Sequence, residues 1–416
     1  MIQSVRGMRD IHGEEVAAWQ RIERIFQEQS HAFGYSEFRT PMVEFTELFK
    51  RGVGESSDIV GKEMYTFDDR GGDSITLRPE MTAPIVRAAI EHNLLRQRPI
   101  ARIWYYGPLF RYERPQKGRY RQFHQYGAEC IGSPNPEADA EIILLAAQTL
   151  EAAGAQGVKL ELNSLGTPES RVKYREALVE YFTKHKDSLS EDSQRRLDTN
   201  PLRILDSKNR DDRAIIASAP LLEEFLDDES AEHFATVKTL LDSAGLAYEV
   251  SPRLVRGLDY YSHTVFEFTS DALGSQSAVC GGGRYDPLFA MLGGGDVPAV
   301  GFSIGVERLL LVLEAQNEMP PAQNLDVFMC AFGDEARLPA QLIALRLRKA
   351  GLSVATDILR RSPKAQLKEA DRSNARYALI LGDDELAAQT VTVKDLHEGT
   401  QVSVEQASIV QHLASQ

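Results

Sequence analysis

The chain has 416 residues, 43% hydrophobic and 26% charged, with 61 Asp and Glu against 47 Lys and Arg and a formal net charge of −14. That length exceeds one ordinary hydrophobic core, so two or three domains are expected, and the charge disfavours indiscriminate nucleic-acid binding without excluding a local basic surface. No apolar run approaches the ~20 residues of a membrane span, the start "MIQSVRGMRDIHGEEVAAWQ" has no apolar signal-peptide core, and Cys130, Cys280 and Cys330 are too scattered for a disulfide framework or a zinc site, which fits a reducing cytoplasm.

Val16, Trp19, Ile22, Ile25 and Phe26 recur at helical spacing, and Gly34 can end that helix. Pro41 inside "RTPMVEFTELFKR" predicts an extended stretch and then a short helix. "SITLRPEMTAPIVRAAIEH" reads as a strand to about Leu77, a break at Pro79 and a helix from about Thr82. Residues 100–132 read as a strand, a break at Gly107-Pro108, a second strand, a loop from Pro115 to Gly118, and a further strand. A helix over 137–153 and a strand over 158–163 follow. From Thr167 to about Gly245 the chain is charged and helical, which reads as an insertion. Strand texture returns at 247–269 and 276–280, and "AVGFSIGVERLLLVLEA" runs as a strand through Gly301 and Gly305 into a helix. The polar, proline-bearing stretch 317–324 is the best domain boundary. Beyond it, strands at 325–330, 351–356, 376–381, 389–394 and 400–404 alternate with helices near 335–349, 363–375 and 405–413, the pattern of a small α/β domain with some parallel sheet.

Several polar residues fall where a core has little use for them. "RYERPQKGRYR", residues 111–121, sets Arg111, Arg114, Lys117, Arg119 and Arg121 against Glu113 alone, and is either a solvated hairpin tip or a phosphate site. In "RQFHQYGAEC" alternation puts Phe123, Gln125, Gly127 and Glu129 on one face, which makes a pocket wall or else a solvent-exposed face. Leu109, Arg111 and Glu113 share a face of the preceding strand. There a guanidinium can fork onto a phosphate, a carboxylate can accept from an exocyclic amine, and Phe123 offers a ring for a base to stack on. Arg308 falls in the first turn of its helix, where a cation opposes the dipole unless an anion sits between; the alternative is a later helix start and a solvated arginine. "CGGGRYDPL" is a glycine-rich turn before Arg284 and Tyr285, without the spacing of a P-loop or a dinucleotide fingerprint. In "RLVRGLDYYSHTVFEF" Arg256 interrupts an apolar, aromatic run. Arg256 and Tyr261 differ by five positions, so the chain must bend between them if both face a site, and Gly257 is the obvious place; otherwise Tyr261 is core.

Together these stretches resemble the class II aminoacyl-tRNA synthetases and, within that class, the histidine-specific family, nearly end to end. "RGMRDIHG" is similar to that family's amino-terminal signature. "RTPMVEFTELFKR", "GPLFRYERPQKGRYRQFHQYGAE" and "GFSIGVERLLLVLE" are similar to the three motifs of the class, and "LVRGLDYY" and "CGGGRYD" to the segments peculiar to histidine enzymes. Two positions depart from the pattern: Met81 stands where bacterial members typically have glycine, and Met8 where threonine is common. The resemblance implies an α+β catalytic domain over 1–320, with an antiparallel six-stranded sheet and a helical insertion over 167–245, then a C-terminal α/β anticodon-binding domain over 325–416. It implies histidine–tRNA ligase activity: histidine and ATP give histidyl-adenylate and pyrophosphate, and the histidyl group then passes to the 3′ end of histidine tRNA.

The same resemblance implies the site. Arg111 and Arg256 would be the catalytic cations on the α-phosphate. Glu113 would hold the adenine amine, Phe123 and Arg308 would flank the adenine, and Mg2+ would serve the outer phosphates without ligands dedicated to it. Glu129 and Tyr261 would take the two imidazole nitrogens of L-histidine. Glu80, Thr82 and Gln125 would hold its amino and carboxylate groups, with Met81, Tyr260 and Tyr285 on the wall. Arg114 and Gln116 would meet the acceptor end of the tRNA. The last domain has 11 Lys and Arg against 12 Asp and Glu over residues 325–416, with Lys364, Lys368 and Arg372 on one helix face, and would face RNA. The 38–51 region would form a homodimer interface, and the enzyme would be cytoplasmic, without a membrane partner. Three rival readings are a histidine-sensing regulatory paralogue, which generally lacks the anticodon domain, a binding module that has kept the fold but lost activity, and a synthetase for another amino acid, such as proline or threonine.

Overall fold

The computed structural model of the chain describes residues 2–54, 57, 59–96, 98–205, 207, 209–255, 260–319 and 325–414; Arg256 and Gly257 lie outside them. The chain divides into two compact units, Met1–Pro320 and Pro321–Gln416.

Alternating apolar side chains build one large sheet in the first unit. Its order is Ser36–Glu37, Ala101–Phe110, Gln122–Ile131, Ala299–Gly305, Ala278–Arg284, Ser262–Thr269, Lys159–Ser164, Glu249–Val250. The six inner strands are antiparallel throughout, and the two-residue strands at the margins run parallel to their neighbours. The expected six-stranded antiparallel sheet is therefore present, widened to eight by one short strand on either side. Helices Glu15–Ala32, Pro136–Ala153 and Asp228–Ser243 cover one face, where Trp19, Phe26, Ile142, Leu145 and Val237 pack on Tyr126, Phe266 and Phe302. The other face carries a second core, in which Ile85 and Val86 of helix Thr82–Glu91 join Tyr105, Ile131 and Val265.

Among the described residues the expected strand over 247–269 is present only as Glu249–Val250 and Ser262–Thr269, and the expected break at Gly107-Pro108 is absent. The chain does not break at Gly107-Pro108: strand Ala101–Phe110 runs through, pairing Gly107 with Gln125 and Pro108 with His124. A proline interrupts a ladder only where its missing N–H was needed. Here His124 turns its own N–H away from this partner, to Glu307 Oε2 at 2.9 Å, and Pro108 O accepts from Arg78 Nε at 3.0 Å. Gly107 leaves room for the same arginine, since a Cβ there would lie 2.5 Å from Arg78 Nη2.

The polar stretch after Ser164 forms helices because each start is capped. Thr167, Ser190, Asn209 and Asp227 accept from backbone N–H groups at the starts of Pro168–Lys184, Glu191–Thr199, Arg210–Ile216 and Asp228–Ser243. Phe234 and Val237 of the last helix enter the first core, whereas Leu178, Phe182, Leu197 and Ile204 complete the second.

A small antiparallel sheet sets Ser74–Leu77 between Val43–Phe45 and Tyr65–Asp68. In the second unit the sheet order is Val354–Thr356, Val327–Ala331, Tyr377–Leu381, Thr390–Asp395, Gln401–Glu405. The first three strands are parallel and the last two antiparallel. Ile343 and Leu347 of helix Asp334–Lys349 pack with Met329 and Leu379, and Ala370 of Pro363–Arg372 packs with Phe328 and Cys330. A short helix, Asp383–Ala388, stands where the sequence suggested none, and the final helix is Ile409–Ala414.

Candidate active site

A cavity of about 350 Å3 opens on the second-core face of the main sheet. Phe123, Gln125 and Glu129 point into it from alternate positions of strand Gln122–Ile131. Glu129 is 1% exposed and meets three hydroxyls: Tyr285 donates to Oε2 at 2.6 Å, and Thr82 and Tyr105 donate to Oε1 at 2.9 and 3.0 Å. Burial, outweighing those three donors, pushes its pKa up to about 8. Two glycines make the arrangement possible. Gly301 lies opposite Glu129, where a Cβ would overlap Oε2; Gly127 lies opposite Tyr105, where a Cβ would overlap the phenol oxygen. Glu80 caps helix Thr82–Glu91 by accepting from the N–H groups of Thr82 and Ala83 at 2.8 and 3.0 Å, and burial pushes its pKa up to about 7. Met81 between them is 1% exposed and lines the cavity. Tyr260 and Tyr261 line it as well, their ring centroids 4.9 Å apart.

Cations gather beyond Phe123. Arg111 Nε donates to Pro79 O at 2.8 Å, and its guanidinium lies 5.2 Å from the Phe123 ring centroid. Glu113 pairs with Arg119. Arg308, in the first turn of Val306–Ala315, donates to Ala278 O at 2.9 Å and Gly118 O at 3.4 Å, so backbone carbonyls offset the unfavourable helix dipole. The hairpin tip is closed by backbone hydrogen bonds between Gln116 and Arg119 at 2.9 and 3.1 Å, and its base is held where Gly7 O accepts from Arg121 N at 2.8 Å.

Glu80, Met81, Thr82, Arg111, Glu113, Phe123, Gln125, Glu129, Tyr260, Tyr261, Tyr285 and Arg308 all line this cavity. Arg114 and Gln116 stand exposed on the hairpin. Arg256 lies outside the described residues. Sequence reasoning missed Tyr105, which reads as a core aromatic until Gly127 is set opposite it, and Arg203, which reaches the cavity from the inserted helices. It also missed Glu307, which fixes the strand by accepting from His124 N. Arg284, beside Tyr285, does not line the cavity: it is fully buried against Asp139, with further hydrogen bonds to Asp286 Oδ1, Ser133 O and Asn135 O. Among the described residues no group of three or more His, Cys, Asp and Glu is placed to hold a metal ion, and no helix is long and apolar enough to cross a membrane.

The family model for histidyl-tRNA synthetase matches residues 7–309, and that for the anticodon binding domain matches residues 326–416. Among solved structures, apo histidyl-tRNA synthetase of S. aureus is 38% identical, covering 99% of this chain and 100% of its own, with a TM-score of 0.84. An ATP phosphoribosyltransferase regulatory subunit/histidyl-tRNA synthetase of Bacillus halodurans is 25% identical, covering 92% and 98%, with a TM-score of 0.67. Histidyl-tRNA synthetase of Nostoc sp. shares the fold at 20% identity, covering 100% and 99%, with a TM-score of 0.72.

Proposed function

The chain belongs to the histidyl-tRNA synthetase family, whose activity is the ligation of histidine to tRNA, and from that premise we propose how its cavity divides the work. The carboxylate of histidine attacks the α-phosphorus of ATP; the new P–O bond forms as the bond to the leaving pyrophosphate breaks. A hydroxyl of the 3′-terminal ribose of histidine tRNA then attacks the histidyl carbonyl, and AMP leaves. Chemistry of this kind depends on positioning and on neutralising charge. Arg111 and Arg256 neutralise the α-phosphate as the catalytic cations, both remaining protonated throughout. Glu113 accepts from the adenine amine, and Phe123 and Arg308 flank the ring. Mg2+ bound with ATP would supply neutralising charge at the outer phosphates, and among the described residues no group of three or more His, Cys, Asp and Glu is dedicated to it.

The observation that carries the amino-acid assignment is Glu129, a buried carboxylate at the cavity wall ringed by hydroxyls. A neutral imidazole brings one N–H and one bare nitrogen. Glu129 takes the first and the phenol of Tyr261 serves the second. Glu80, Thr82 and Gln125 hold the amino and carboxylate groups, Glu80 with lone pairs its helix cap leaves unused. Met81, Tyr260 and Tyr285 shape the remaining wall. Arg114 and Gln116 meet the acceptor end of the tRNA, and the exposed Lys364, Lys368 and Arg372 of the second unit face its RNA. The protein acts in the cytoplasm as a homodimer joined through the 38–51 region, a reading supported by the exposed Met42, Val43 and Phe45.

ATP–pyrophosphate exchange with each standard amino acid, followed by charging of histidine tRNA, tests the proposal. Exchange with histidine alone, and charging, is the expected result. Saturable histidine binding without exchange, the behaviour of a regulatory subunit, would overturn it.

A further inference from the structure

Arg203 belongs to the short helical turn Pro201–Ile204, within the stretch inserted between strands Lys159–Ser164 and Glu249–Val250, yet it lines the same cavity as Glu129 and Arg111. We propose that Arg203 is a substrate-binding residue that takes an anionic oxygen at the tyrosine end of the cavity, either the carboxylate of histidine or the α-phosphate it joins. The inference rests on the histidine and ATP reading given above.

Charge supplies the first argument. The described lining holds six acidic side chains, Glu63, Glu80, Glu113, Glu129, Glu267 and Glu307, of which Glu129 keeps its proton up to about pH 8 and Glu80 up to about 7, and four guanidinium groups, on Arg111, Arg119, Arg203 and Arg308. The substrates add a carboxylate and a triphosphate. Arg119 is committed to Glu113, and Arg308 hydrogen-bonds Ala278 O and Gly118 O. Anions entering a wall so rich in acidic side chains need every cation that faces them.

Location supplies the second. Ile204 and Leu205, next to Arg203, are buried in one core with Leu254, Tyr260, Tyr261 and Tyr285. The backbone that carries Arg203 therefore lies on the side where these tyrosines stand.

The third is rigidity. Arg196 Nη1 donates to Arg203 O at 3.2 Å, and Ile204 is fully buried. The inserted stretch is also tied to the wall itself: Arg171 Nη1 donates to Tyr261 O at 2.5 Å, and Arg253 donates to Ile216 O and Ala217 O at 3.0 and 2.6 Å. The turn that carries Arg203 is thus fixed in place, and a side chain based on a fixed backbone loses less entropy on binding.

The test compares the full chain with Arg203→Gln and with Arg203→Lys, which keeps the charge. It measures exchange kinetics, thermal stability, and equilibrium binding of histidine and of histidinol, in which CH2OH replaces the carboxylate. If Arg203 holds the carboxylate, Arg203→Gln weakens histidine by about tenfold or more, leaves histidinol unchanged, and Arg203→Lys recovers part of the loss. If it holds the α-phosphate, both ligands bind as before while kcat/KM for ATP falls by a similar factor. Equal weakening of histidine and histidinol, or parent-like binding and exchange in Arg203→Gln, would sink the inference while leaving the functional reading intact. No histidine-dependent exchange by the parent would sink both.

Discussion

Glu129 ties the proposed recognition of histidine to stability. In the unfolded chain its carboxyl ionises near the ordinary value of 4.5, and in the fold burial moves that to about 8. Between those values the folded chain keeps a proton that the unfolded chain has released. Stability therefore falls as pH rises, by at most ~1.4 kcal/mol per pH unit from this group, and levels off above about 8. Glu129→Gln removes that slope; Glu80, raised to about 7, contributes one of the same sign that the variant keeps. Urea unfolding at about pH 5, 7 and 9 should show the variant gaining on the parent as pH rises. Parallel curves would mean that Glu129 is ionised in the folded chain throughout. Much of this wall is legible in the sequence, because strand alternation is local: Phe123, Gln125 and Glu129 fall on one face by counting alone. Tyr105 and Gly301 are not, because their meaning lies in cross-strand register, which sets each against a residue distant in the chain.

Strand Ala278–Arg284 ends in a buried ion pair that positions a tyrosine of the site. Burial alone would raise the Asp139 pKa, but the Arg284 charge and its hydrogen bonds, aided by His233 Nε2 at 3.3 Å, hold it below the usual carboxylate value. The next residue, Tyr285, donates to Glu129. Arg284→Met leaves Asp139 without its main partner and should lower stability by ~3–5 kcal/mol in urea unfolding. The double variant Arg284→Met/Asp139→Leu should recover most of the loss. A single-variant loss below ~1 kcal/mol would mean that solvent reaches Asp139. At this scale the fold is legible where elements are long. The stretch from Pro168 to Ser243 reads as helical, but its division into four helices, capped by Thr167, Ser190, Asn209 and Asp227, emerges only in the fold. Pro108 misleads, because whether a proline breaks a strand depends on which way its missing N–H would have pointed. The Asp383–Ala388 helix, six residues long, is too short for its periodicity to register.

For the whole molecule, the small sheet bears on the proposed dimer. Met42, Val43, Phe45 and Phe67 are all exposed on or beside it, Phe45 at 61%. Phe45→Asp should convert a dimer to a monomer in sedimentation experiments at micromolar concentration, and an unchanged mass would place the interface elsewhere. Such association was not legible as a surface, because Val43 and Phe45 read equally well as one buried face of a strand.

The margins of the main sheet, Ser36–Glu37 and Glu249–Val250, are two residues long, exposed, and each carries an acid. An edge so brief presents hardly any row of unpaired amide and carbonyl groups to an incoming strand, and its charge repels a copy of itself. The broad antiparallel sheet is thereby closed to growth by strand addition. Crowded chains must lose these margins before this sheet can join its copy in a fibril.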